Sequence, residues 1–570
     1  MKPRLIFISI VLPLILAFEP VLSSASEAGP AGISGVCSSG GVVVSASSEA
    51  TEAGVRILND GGTAMDAAVA VGFALAVAYP RAGNLGGGGF MLIREADGEE
   101  NFIDFREKAP LASSRDMYLD QNGDVIEGLS TRGYKASGVP GTVAGLSLAH
   151  RGFCRIRWES LLAPAINLAE NGFALNKETA KSINRLLTEY GEDFPGLRKF
   201  HAGSGDKAKE GNRLCQPELA ATLRRLSEKG GREFYRGETA RLIVDEMKRG
   251  GGLITLEDLK NYSAEIRKPV SGLYRGHRII SAPPPSSGGT VLLEILNILE
   301  GYPLSGYGPL SEEAVHLMVE AERIAYRDRA RYLGDADYVE VPVTELISKS
   351  YGSRMREAIN PDSAGSSEMK NHWKENSETT HYSVIDRFGN AVSATITLNG
   401  SYGSKVVVRG AGFLMNNEMD DFSMKPGVPN MYGLVGGRAN EIAPGKRMLS
   451  SMAPTIVIRD GRVFMVLGSP GGSTIITSVA QVIINILDFG MEPGDAVSWP
   501  RFHHQYLPDL IYHEDGAFTD RLEKQLKNRG HKIKARPPIG DIQLIIRQGG
   551  TACGYTDPRL YGSAAAGGSS

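Results

Sequence analysis

The chain has 570 residues, with 62 lysines and arginines against 65 aspartates and glutamates, which gives a net charge of −3. A chain of this length exceeds one small core, so we expect two closely packed parts. The balanced charge provides no basic surface for nucleic acid, and no run of like charge suggests a tail that binds a charged partner. The hydrophobic share of 42% is that of a globular protein.

The N-terminus has the pattern of a secretory signal peptide. Lys2 and Arg4 precede an apolar run over residues 5–18, and the small residues Ser23, Ser24 and Ala25 follow. This pattern predicts a signal peptide over residues 1–25, although a retained N-terminal anchor is an open alternative. No later segment reaches the roughly 18 uncharged apolar residues of a membrane span. We therefore expect a periplasmic or secreted protein without stable membrane insertion.

The four cysteines are far apart, at Cys37, Cys154, Cys215 and Cys553. There is no Cys-x-x-Cys pair, so their spacing does not predict a metal site. Export would permit a disulfide, but the sequence does not choose among the pairings.

The first two thirds of the chain contain the patterns of strands, turns and, above all, helices. A buried strand is predicted over residues 41–45, followed by a helix over 48–59 and a second helix that Thr63 caps and that ends near residue 78. The glycine loop over residues 84–90 precedes a strand and has no following lysine, so we interpret it as a tight turn against the core and not as a phosphate cradle. The apolar periodicity predicts further scaffold helices over residues 142–150, 161–170, 177–187, 218–226, 239–247 and 312–332.

Residues 379–399 have the pattern of a β-hairpin. Two strands rich in β-branched residues flank a turn over residues 387–390. If the hairpin is symmetric about Phe388 and Gly389, Thr379 lies opposite Leu398, with Thr397 and Asn399 on either side of it. The purely structural interpretation is a core hairpin whose hydroxyls bond across the ladder. A polar segment over residues 360–377 precedes the hairpin and is predicted to be a mobile loop.

Two later segments carry groups that could bind charged ligands. Glu418, Asp420 and Asp421 lie in one loop, but the spacing of a calcium-binding loop is missing. Residues 468–473 link a predicted strand to a helix over 474–489, so the N–H groups of Gly471 and Gly472 lie near the positive end of a helix dipole. The last residues, 563–570, are only serine, alanine and glycine, and we expect them to be frayed.

Several ordered motifs together resemble the γ-glutamyltransferases, a family of N-terminal-nucleophile hydrolases. The resemblance runs from about Gly41 to Pro558. It rests above all on Thr-Thr-His-Tyr-Ser-Val-Ile-Asp from residue 379, Thr-Leu-Asn from 397 and Asn-Asn-Glu-Met-Asp-Asp-Phe from 416. It implies an α+β fold, a four-layer αββα sandwich. It also implies self-cleavage between Glu378 and Thr379 into a large subunit (26–378) and a small one (379–570), which remain together as a heterodimer.

The resemblance implies that Thr379 is the nucleophile and that its new α-amine is the base. A threonine hydroxyl needs an adjacent base, and an α-amine with a pKa near 8 is suited to that role, whereas an internal peptide nitrogen is not. Thr397 is expected beside the nucleophile. Gly471 and Gly472 are expected to form the oxyanion hole.

The implied substrate is glutathione or another γ-glutamyl compound, with transfer of the glutamyl group to water or an amino acid, and with no cofactor or metal. The fork of an arginine suits a carboxylate. The residues implied to bind the α-carboxylate are Arg106, Ser450 and Ser451; those implied for the α-ammonium are Glu418 and Asp421; Asn399 completes the binding site, and Tyr432 gates it from a lid loop over residues 429–437.

Two other functions stay open at this point. A cephalosporin or glutaryl acylase of the same architecture would accept a related acyl chain without the α-amine. A non-catalytic secreted binding protein could keep the fold and would not split into two chains.

Overall fold

The structure is a computed structural model that describes residues 33–200, 207–367, 379–559 and 562–569. The predicted signal peptide and Glu378 lie outside the described residues. The strands are β1 (Val36–Ser38), β2 (Gly41–Ser45), β3 (Gly88–Arg94), β4 (Glu100–Asp104), β5 (Phe173–Ala174), β6 (Arg213–Leu214), β7 (Glu265–Arg267), β8 (Val270–Tyr274), β9 (His277–Ser281), β10 (Thr380–Asp386), β11 (Ala391–Thr397), β12 (Thr455–Arg459), β13 (Arg462–Gly468), β14 (Phe502–His503), β15 (Ile511–Glu514), β16 (Ile533–Arg536), β17 (Gln543–Gln548), β18 (Thr551–Thr556) and β19 (Ala564–Gly567).

The helices are α1 (Ser48–Asn59), α2 (Ala64–Ala78), α3 (Thr142–Phe153), α4 (Trp158–Asn171), α5 (Lys177–Tyr190), α6 (Pro217–Lys229), α7 (Arg232–Arg236), α8 (Glu238–Gly250), α9 (Leu256–Asn261), α10 (Gly288–Leu299), α11 (Glu312–Tyr332), α12 (Val343–Leu346), α13 (Lys349–Glu357), α14 (Ile475–Leu487), α15 (Pro493–Ser498) and α16 (Asp520–Asn528). The predicted scaffold helices are confirmed, with α1 and α11 at the predicted bounds. Thr63 caps α2 in a capping box with Asp66, as the sequence indicates. No helix among the described residues is long and apolar enough to cross a membrane.

Two seven-stranded antiparallel sheets form the centre of the molecule. The first has the order β19-β2-β10-β11-β3-β4-β7, and the second has the order β1-β18-β17-β13-β12-β9-β8. The hairpin β10–β11 therefore lies inside the first sheet, between β2 and β3, so the strands on both sides of it belong to the N-terminal part of the chain.

The alternation of side chains along β2 shows how the layers are built. Val43 packs into a core with α1 to α4, whereas Val42 and Val44 point the other way, into a core that the first sheet shares with the second. Helices α10, α11 and α14 cover the second sheet. The order is helix, sheet, sheet, helix, and the predicted αββα sandwich is confirmed.

The register of the hairpin differs by one residue from the symmetric prediction. Thr380 pairs with Ile396, and continuing this ladder places Thr379 opposite Thr397 instead of Leu398. The loop between the strands has three residues, 387–389, so the hairpin is centred on Phe388 and not between Phe388 and Gly389. Gly389 has φ +97° in this loop. The Asp386 carboxylate holds this loop by accepting hydrogen bonds from the backbone N–H groups of residues 388–390 at 2.9–3.0 Å.

The expectation of a frayed C-terminus is wrong for residues 564–567. They form β19, which pairs with β2 at the edge of the first sheet. A strand pairs through its backbone, and alanine and glycine provide that backbone without bulk, so a segment without large side chains can still cover an edge. The hydroxyl of Ser38 donates a 2.6 Å hydrogen bond to the carbonyl of Gly568 and fixes the end of this strand.

The structure also settles the cysteine pairing that the sequence left open. Cys37 and Cys553 face each other across β1 and β18 and form a disulfide, whereas Cys154 and Cys215 are free thiols.

Candidate active site

A pocket lies at the open end of the hairpin, where β10 begins and β11 ends. Nine of the eleven predicted site residues line it; Arg106 and Gly471 do not, but each adjoins a lining residue. The lining residues are Thr379, Thr397, Asn399, Glu418, Asp421, Tyr432, Leu434, Ser450, Ser451, Met452, Gly472 and Ile475.

The first wall of the pocket is formed by uncharged groups of the hairpin. Thr379 is the last residue before β10 and is only 4% exposed. Opposite it, the hydroxyl oxygen of Thr397 accepts a 2.7 Å hydrogen bond from the backbone N–H of Asn399. The side chain of Asn399 donates to the carbonyl of Asn417 at 3.0 Å. These bonds fix the hydroxyl and the amide beside Thr379.

The glycine loop before β3 supports this wall from behind. A Cβ on Gly87 would lie 2.1 Å from the carbonyl oxygen of Thr397, so only glycine allows the two backbones to approach so closely. The Asn84 side chain bonds both partners: it donates to the Thr397 carbonyl at 2.8 Å and accepts from the Gly87 N–H at 2.9 Å. The predicted tight turn is confirmed, and it positions Thr397.

A second glycine turn approaches the pocket from the second sheet. β13 ends at Gly468, and a 3₁₀ turn over Gly472–Thr474 leads into α14. Gly471 and Gly472 have φ values of +140° and +54°, in the region that favours glycine. The backbone at this point precedes a helix N-terminus, where a negative charge is stabilised by N–H groups and by the helix dipole.

The second wall contains buried charge. Arg106, which follows β4 and is 1% exposed, has its guanidinium nitrogens 2.5 Å from carboxylate oxygens of Glu418 and Asp421. A third carboxylate, that of Glu107, lies 3.6 Å away. Backbone carbonyls of Met448 and residue 449 accept further bonds from the same guanidinium. Three acids thus surround one arginine.

The pKa values of this cluster show that burial disfavours three negative charges side by side. Burial raises the pKa of Glu107 to about 8 and raises the pKa of Glu418 well above its usual range, although Arg106 opposes both shifts. Burial by itself would lower the pKa of Arg106, but the neighbouring carboxylates, Glu418 first, raise it above its ordinary value. The raised pKa values favour the protonated carboxyls of Glu107 and Glu418, and a cation that binds beside Glu418 can replace its proton.

Asp420 contributes to the lid loop and does not line the pocket. Its carboxylate accepts a 2.7 Å hydrogen bond from the Ser130 hydroxyl and a 2.9 Å bond from the N–H of Met431. The calcium alternative considered for this loop is not needed to explain its acids, because Glu418 and Asp421 pair with Arg106 while Asp420 binds these uncharged donors.

Ser450 and Ser451 lie between the charged wall and helix α11. The Ser450 hydroxyl accepts a 3.1 Å bond from the N–H of Met452. The Ser451 hydroxyl accepts a 3.1 Å bond from Arg329, whose Nε also donates to Ser287 at 3.0 Å. No carboxylate of the described chain forms an ion pair with Arg329, and burial lowers the pKa of this arginine.

Sequence reasoning missed Arg329, because it interpreted residues 312–332 only as a scaffold helix. The signal was present in the pattern: Arg329 falls on the same helical face as Glu322 and Tyr326, which are also buried. A basic residue on a buried helical face is rarely unpartnered, and here it orients a pocket serine.

The lid loop is closed over the pocket. Tyr432 is 3% exposed, and its hydroxyl donates a 2.7 Å hydrogen bond to the carbonyl of Asn399. Its ring lies against Gly472, where an added Cβ would be 2.7 Å from ring carbons. The carbonyl of Tyr432 accepts a 3.0 Å bond from the side chain of Gln505, a contact that the sequence did not suggest. Tyr432 of the lid therefore contacts both the glycine turn at Gly472 and the end of the hairpin at Asn399.

His381 is the histidine nearest to Thr379 in sequence, but it is enclosed between the sheets. Its Nδ1 lies 2.8 Å from the Thr395 hydroxyl, and its Nε2 lies 3.2 Å from the Ser383 hydroxyl. Burial lowers the pKa of His381 to about 3. The imidazole is therefore neutral at physiological pH and already satisfied by hydroxyls.

Within the described residues, one group away from the pocket has the spacing of metal ligands. The ligand-type atoms of His316, Glu320 and His531 lie within 4.8 Å of one another. These groups already bind each other and their surroundings: the two imidazoles are joined at 2.8 Å, and Glu320 accepts from Arg323 at 3.2 Å. We assign no ion to this group.

The fold and the pocket define an N-terminal-nucleophile type of hydrolase. It is an αββα sandwich in which a threonine directly precedes an inner strand, and the pocket around this threonine is lined in part by the backbone of a glycine turn. Residues 50–567 match the family described as Gamma-glutamyltranspeptidase. The chain belongs to the γ-glutamyltranspeptidase family, and the resemblance found in its motifs is confirmed.

The relatives cover most of the chain. A protein named glutathione hydrolase proenzyme from Pseudomonas sp. (strain A14) is 49% identical over 509 residues, which cover 89% of this chain and 88% of the relative. A protein of the same name from Escherichia coli (strain K12) is 46% identical over 532 residues, with 92% of both chains covered. The crystal structure of a cephalosporin acylase from Bacillus halodurans superimposes with a TM-score of 0.85 at 27% identity, and the superposition covers 97% of this chain and 100% of that one.

Proposed function

We propose that this chain is the precursor of a γ-glutamyltransferase that cleaves glutathione and other γ-glutamyl compounds. One observation carries the proposal: a single pocket holds Thr379 beside two carboxylates that pair with a buried arginine. That set can bind both charges of an amino acid α-carbon next to a hydroxyl nucleophile. The names of the relatives from Pseudomonas and Escherichia coli support the same substrate class.

Maturation is the first step of the proposal. The chain cleaves itself between Glu378 and Thr379, and residues 26–378 and 379–570 become the large and small subunits. Cleavage converts the backbone nitrogen of Thr379 into an α-amine, which can take up the proton of the threonine hydroxyl. The uncut precursor lacks that base and is inactive.

Acyl transfer then proceeds in two balanced halves. The Thr379 oxygen attacks the γ-carbonyl while the α-amine accepts the hydroxyl proton, and the N–H groups of Gly471 and Gly472 stabilise the oxyanion. Collapse breaks the C–N bond, and the leaving amine of cysteinylglycine receives the proton. Water or an acceptor amine attacks the resulting ester through the same base and releases glutamate or a new γ-glutamyl compound. Thr397 and Asn399 hold the nucleophile in position.

The charged wall determines which acyl group enters. The α-carboxylate of the substrate binds Arg106 with the hydroxyls of Ser450 and Ser451, and Arg329 adds positive charge behind Ser451. The α-ammonium binds Glu418 and Asp421. The ammonium would replace the proton that burial favours on Glu418 and would form an ion pair with the carboxylate.

An acylase specific for glutaryl-type chains is the second candidate, and the similarity to the cephalosporin acylase of Bacillus halodurans favours it. A glutaryl group has no α-ammonium, however. It would form no ion pair with Glu418 or Asp421, and the loss of one partner of a buried charge pair costs about 2–5 kcal/mol. We therefore place γ-glutamyl substrates first.

The mature enzyme is proposed to work in the periplasm or outside the cell. The predicted signal peptide supports export. So does the disulfide between Cys37 and Cys553, because disulfides persist mainly in oxidising compartments.

The deciding experiment uses the purified protein and has two readouts. Denaturing electrophoresis under reducing conditions, followed by N-terminal sequencing, should give a small fragment that begins at Thr379. Hydrolysis of γ-glutamyl-p-nitroanilide should exceed that of glutaryl-p-nitroanilide by at least about 30-fold, the lower end of the cost of an unpaired buried charge. A fragment with another first residue would contradict the nucleophile, and equal rates would favour the acylase.

A further inference from the structure

We propose that the mature enzyme is a covalent heterodimer, in which the Cys37–Cys553 disulfide joins the large subunit to the small one. The proposal rests on the proposed cleavage before Thr379, because without that cut the same bond lies within one chain. It assigns a role to two residues that take no part in the pocket.

The positions of the cysteines leave one way to link the subunits. Cys37, Cys154 and Cys215 all precede the proposed cut, and Cys553 alone follows it. A disulfide between the two subunits of one molecule must therefore use Cys553. The structure places Cys37 directly opposite Cys553 in the ladder of β1 and β18 and joins the two sulfurs, across a separation of 516 residues.

The bond secures a short edge strand. β1 has three residues and lies at one end of the second sheet, where β18 is its one partner among the described strands. Three ladder positions hold a strand weakly, and an edge strand is the first to open. The disulfide keeps β1, and the N-terminal end of the large subunit with it, on a strand of the small subunit.

The rest of the interface does not depend on this bond. β10 and β11 of the small subunit lie between β2 and β3 of the large one, and β12 pairs with β9 across the same boundary. Reduction should therefore leave the folded heterodimer and its pocket intact. The effect of the link should appear when the chains are unfolded, because tethered chains refold as one molecule whereas separate chains must meet in solution.

The chemistry of the link is ordinary thiol oxidation. Each thiol gives up one proton and one electron, and a disulfide-bearing oxidoreductase or a small-molecule disulfide takes the two electrons and becomes two thiols. Cys37 is exposed and Cys553 half-buried, so a small dithiol can reach the bond in the folded protein. An oxidising compartment is required, which agrees with the proposed export.

The test is a pair of denaturing gels of exported enzyme whose free thiols were first blocked with N-ethylmaleimide. Without reductant, the wild type should run as one band of the full mature size; with reductant, it should separate into two. Cys37→Ser and Cys553→Ser should each give two bands in both gels, with activity within about two-fold of the wild type. Cys215→Ser is the matched control, because this cysteine is also exposed but lies on the same subunit as Cys37; it should behave as the wild type.

The same gels separate a failure of the link from a failure of the proposed function. Two wild-type bands without reductant would overturn the covalent link while leaving the maturation intact. One wild-type band with reductant would mean that the chain is not cut, which overturns the proposed maturation; Thr379→Ala supplies the reference pattern for an uncut chain. Dilution from denaturant adds a second measurement: recovery of wild-type activity should be independent of protein concentration, whereas recovery of Cys37→Ser should fall as the concentration falls.

Discussion

The pocket wall that carries Thr379 and the wall that carries Arg106 are positioned by different forces. Thr379 directly precedes β10 and Thr397 is the last residue of β11, so the backbone ladder between these two seven-residue strands sets their positions. Arg106, Glu418 and Asp421 come from two distant loops, and ion pairs with 2.5 Å contacts hold them together. The first wall is neutral and rigid, whereas the second is a balance of buried charges.

Because the two walls are held differently, a substitution can impair the reaction without impairing substrate recognition, or the reverse. A hydroxyl removed from the ladder leaves the backbone pairing in place, so the neighbours should not move. A charge removed from the ionic wall leaves its partners buried and unpaired, which is costly and shifts their pKa values. Variants of the first wall should therefore affect the reaction with all substrates, and variants of the second should affect the choice of substrate.

The largest expected effect comes from Thr379→Ala. The variant should remain one uncut chain and lose all measurable γ-glutamyl hydrolysis, because it lacks the only group proposed to attack both the scissile peptide and the substrate. Electrophoresis and a p-nitroanilide assay measure the two losses. Thr380→Val is the matched control: the Thr380 hydroxyl is buried and makes no hydrogen bond among the described residues, so this variant should mature and react normally. A matured and active Thr379→Ala protein would contradict the role of Thr379.

The next largest effect should come from Asp421→Asn. Its carboxylate contacts Arg106, and its side chain is 13% exposed, so the substitution removes charge at the rim of the cluster with little change of shape. Loss of one partner of a charge pair costs about 2–5 kcal/mol, and asparagine keeps a hydrogen-bonding group, so kcat/KM for γ-glutamyl-p-nitroanilide should fall about 10- to 100-fold. Self-cleavage should continue, because it needs no substrate zwitterion.

Asp420→Asn is the matched control for this prediction, because it makes the same substitution one residue earlier in the chain. Asp420 binds the lid loop and Ser130, and it does not line the pocket. It should leave the ratio of γ-glutamyl to glutaryl hydrolysis unchanged, whereas Asp421→Asn should lower that ratio. An equal fall of both rates in Asp421→Asn would make Asp421 a structural residue. Arg106→Ala is a weaker test, because it would leave Glu107 and Glu418 buried without their cation.

The same contrast explains what the sequence could predict. The strands, the long helices and the glycine turns follow from local patterns, and α1 and α11 were bounded correctly. The register of the hairpin was not predictable from symmetry, because it depends on how the Asp386 carboxylate holds an odd loop. The pairing of Cys37 with Cys553 and the strand at residues 564–567 depend on contacts over hundreds of residues, and no local pattern encodes them.

For the site, the motifs named the residues but not their arrangement. The sequence indicated that Arg106, Glu418 and Asp421 carry charge; only the fold shows that they form one cluster in which the acids outnumber the arginine. Arg329 was missed because a charge on a long helix is usually solvated, and its burial depends on what packs over that face.

A smaller effect is expected from Tyr432→Phe, which removes the hydroxyl that closes the lid onto Asn399. One hydrogen bond contributes about 0.5–1.5 kcal/mol, so kcat/KM should fall about 2- to 10-fold. Because the lid covers the pocket and does not bind the substrate charges, γ-glutamyl and glutaryl substrates should lose the same factor. Tyr235 does not line the pocket, and Tyr235→Phe removes two hydrogen bonds, one donated to the carbonyl of Pro140 and one accepted from the N–H of Ala144; it should leave kcat/KM unchanged. Unequal losses in Tyr432→Phe would show that the lid contributes to recognition.

The smallest expected effect concerns His381 and tests which group is the base. Activity should rise with pH as the Thr379 α-amine loses its proton, with a midpoint near 7 to 8 for an ordinary α-amine. His381 cannot produce that rise, because burial lowers its pKa to about 3 and the imidazole is already neutral well below the midpoint. Its ring nitrogens contact Thr395 and Ser383, which are further along the ladder. In His381→Ala, or in His381→Gln if the alanine variant is not processed, the midpoint measured from kcat/KM should therefore move by less than about 0.5 pH unit. If the matured variant lost its dependence on pH between 6 and 9, the histidine would be the base and the α-amine mechanism would be wrong.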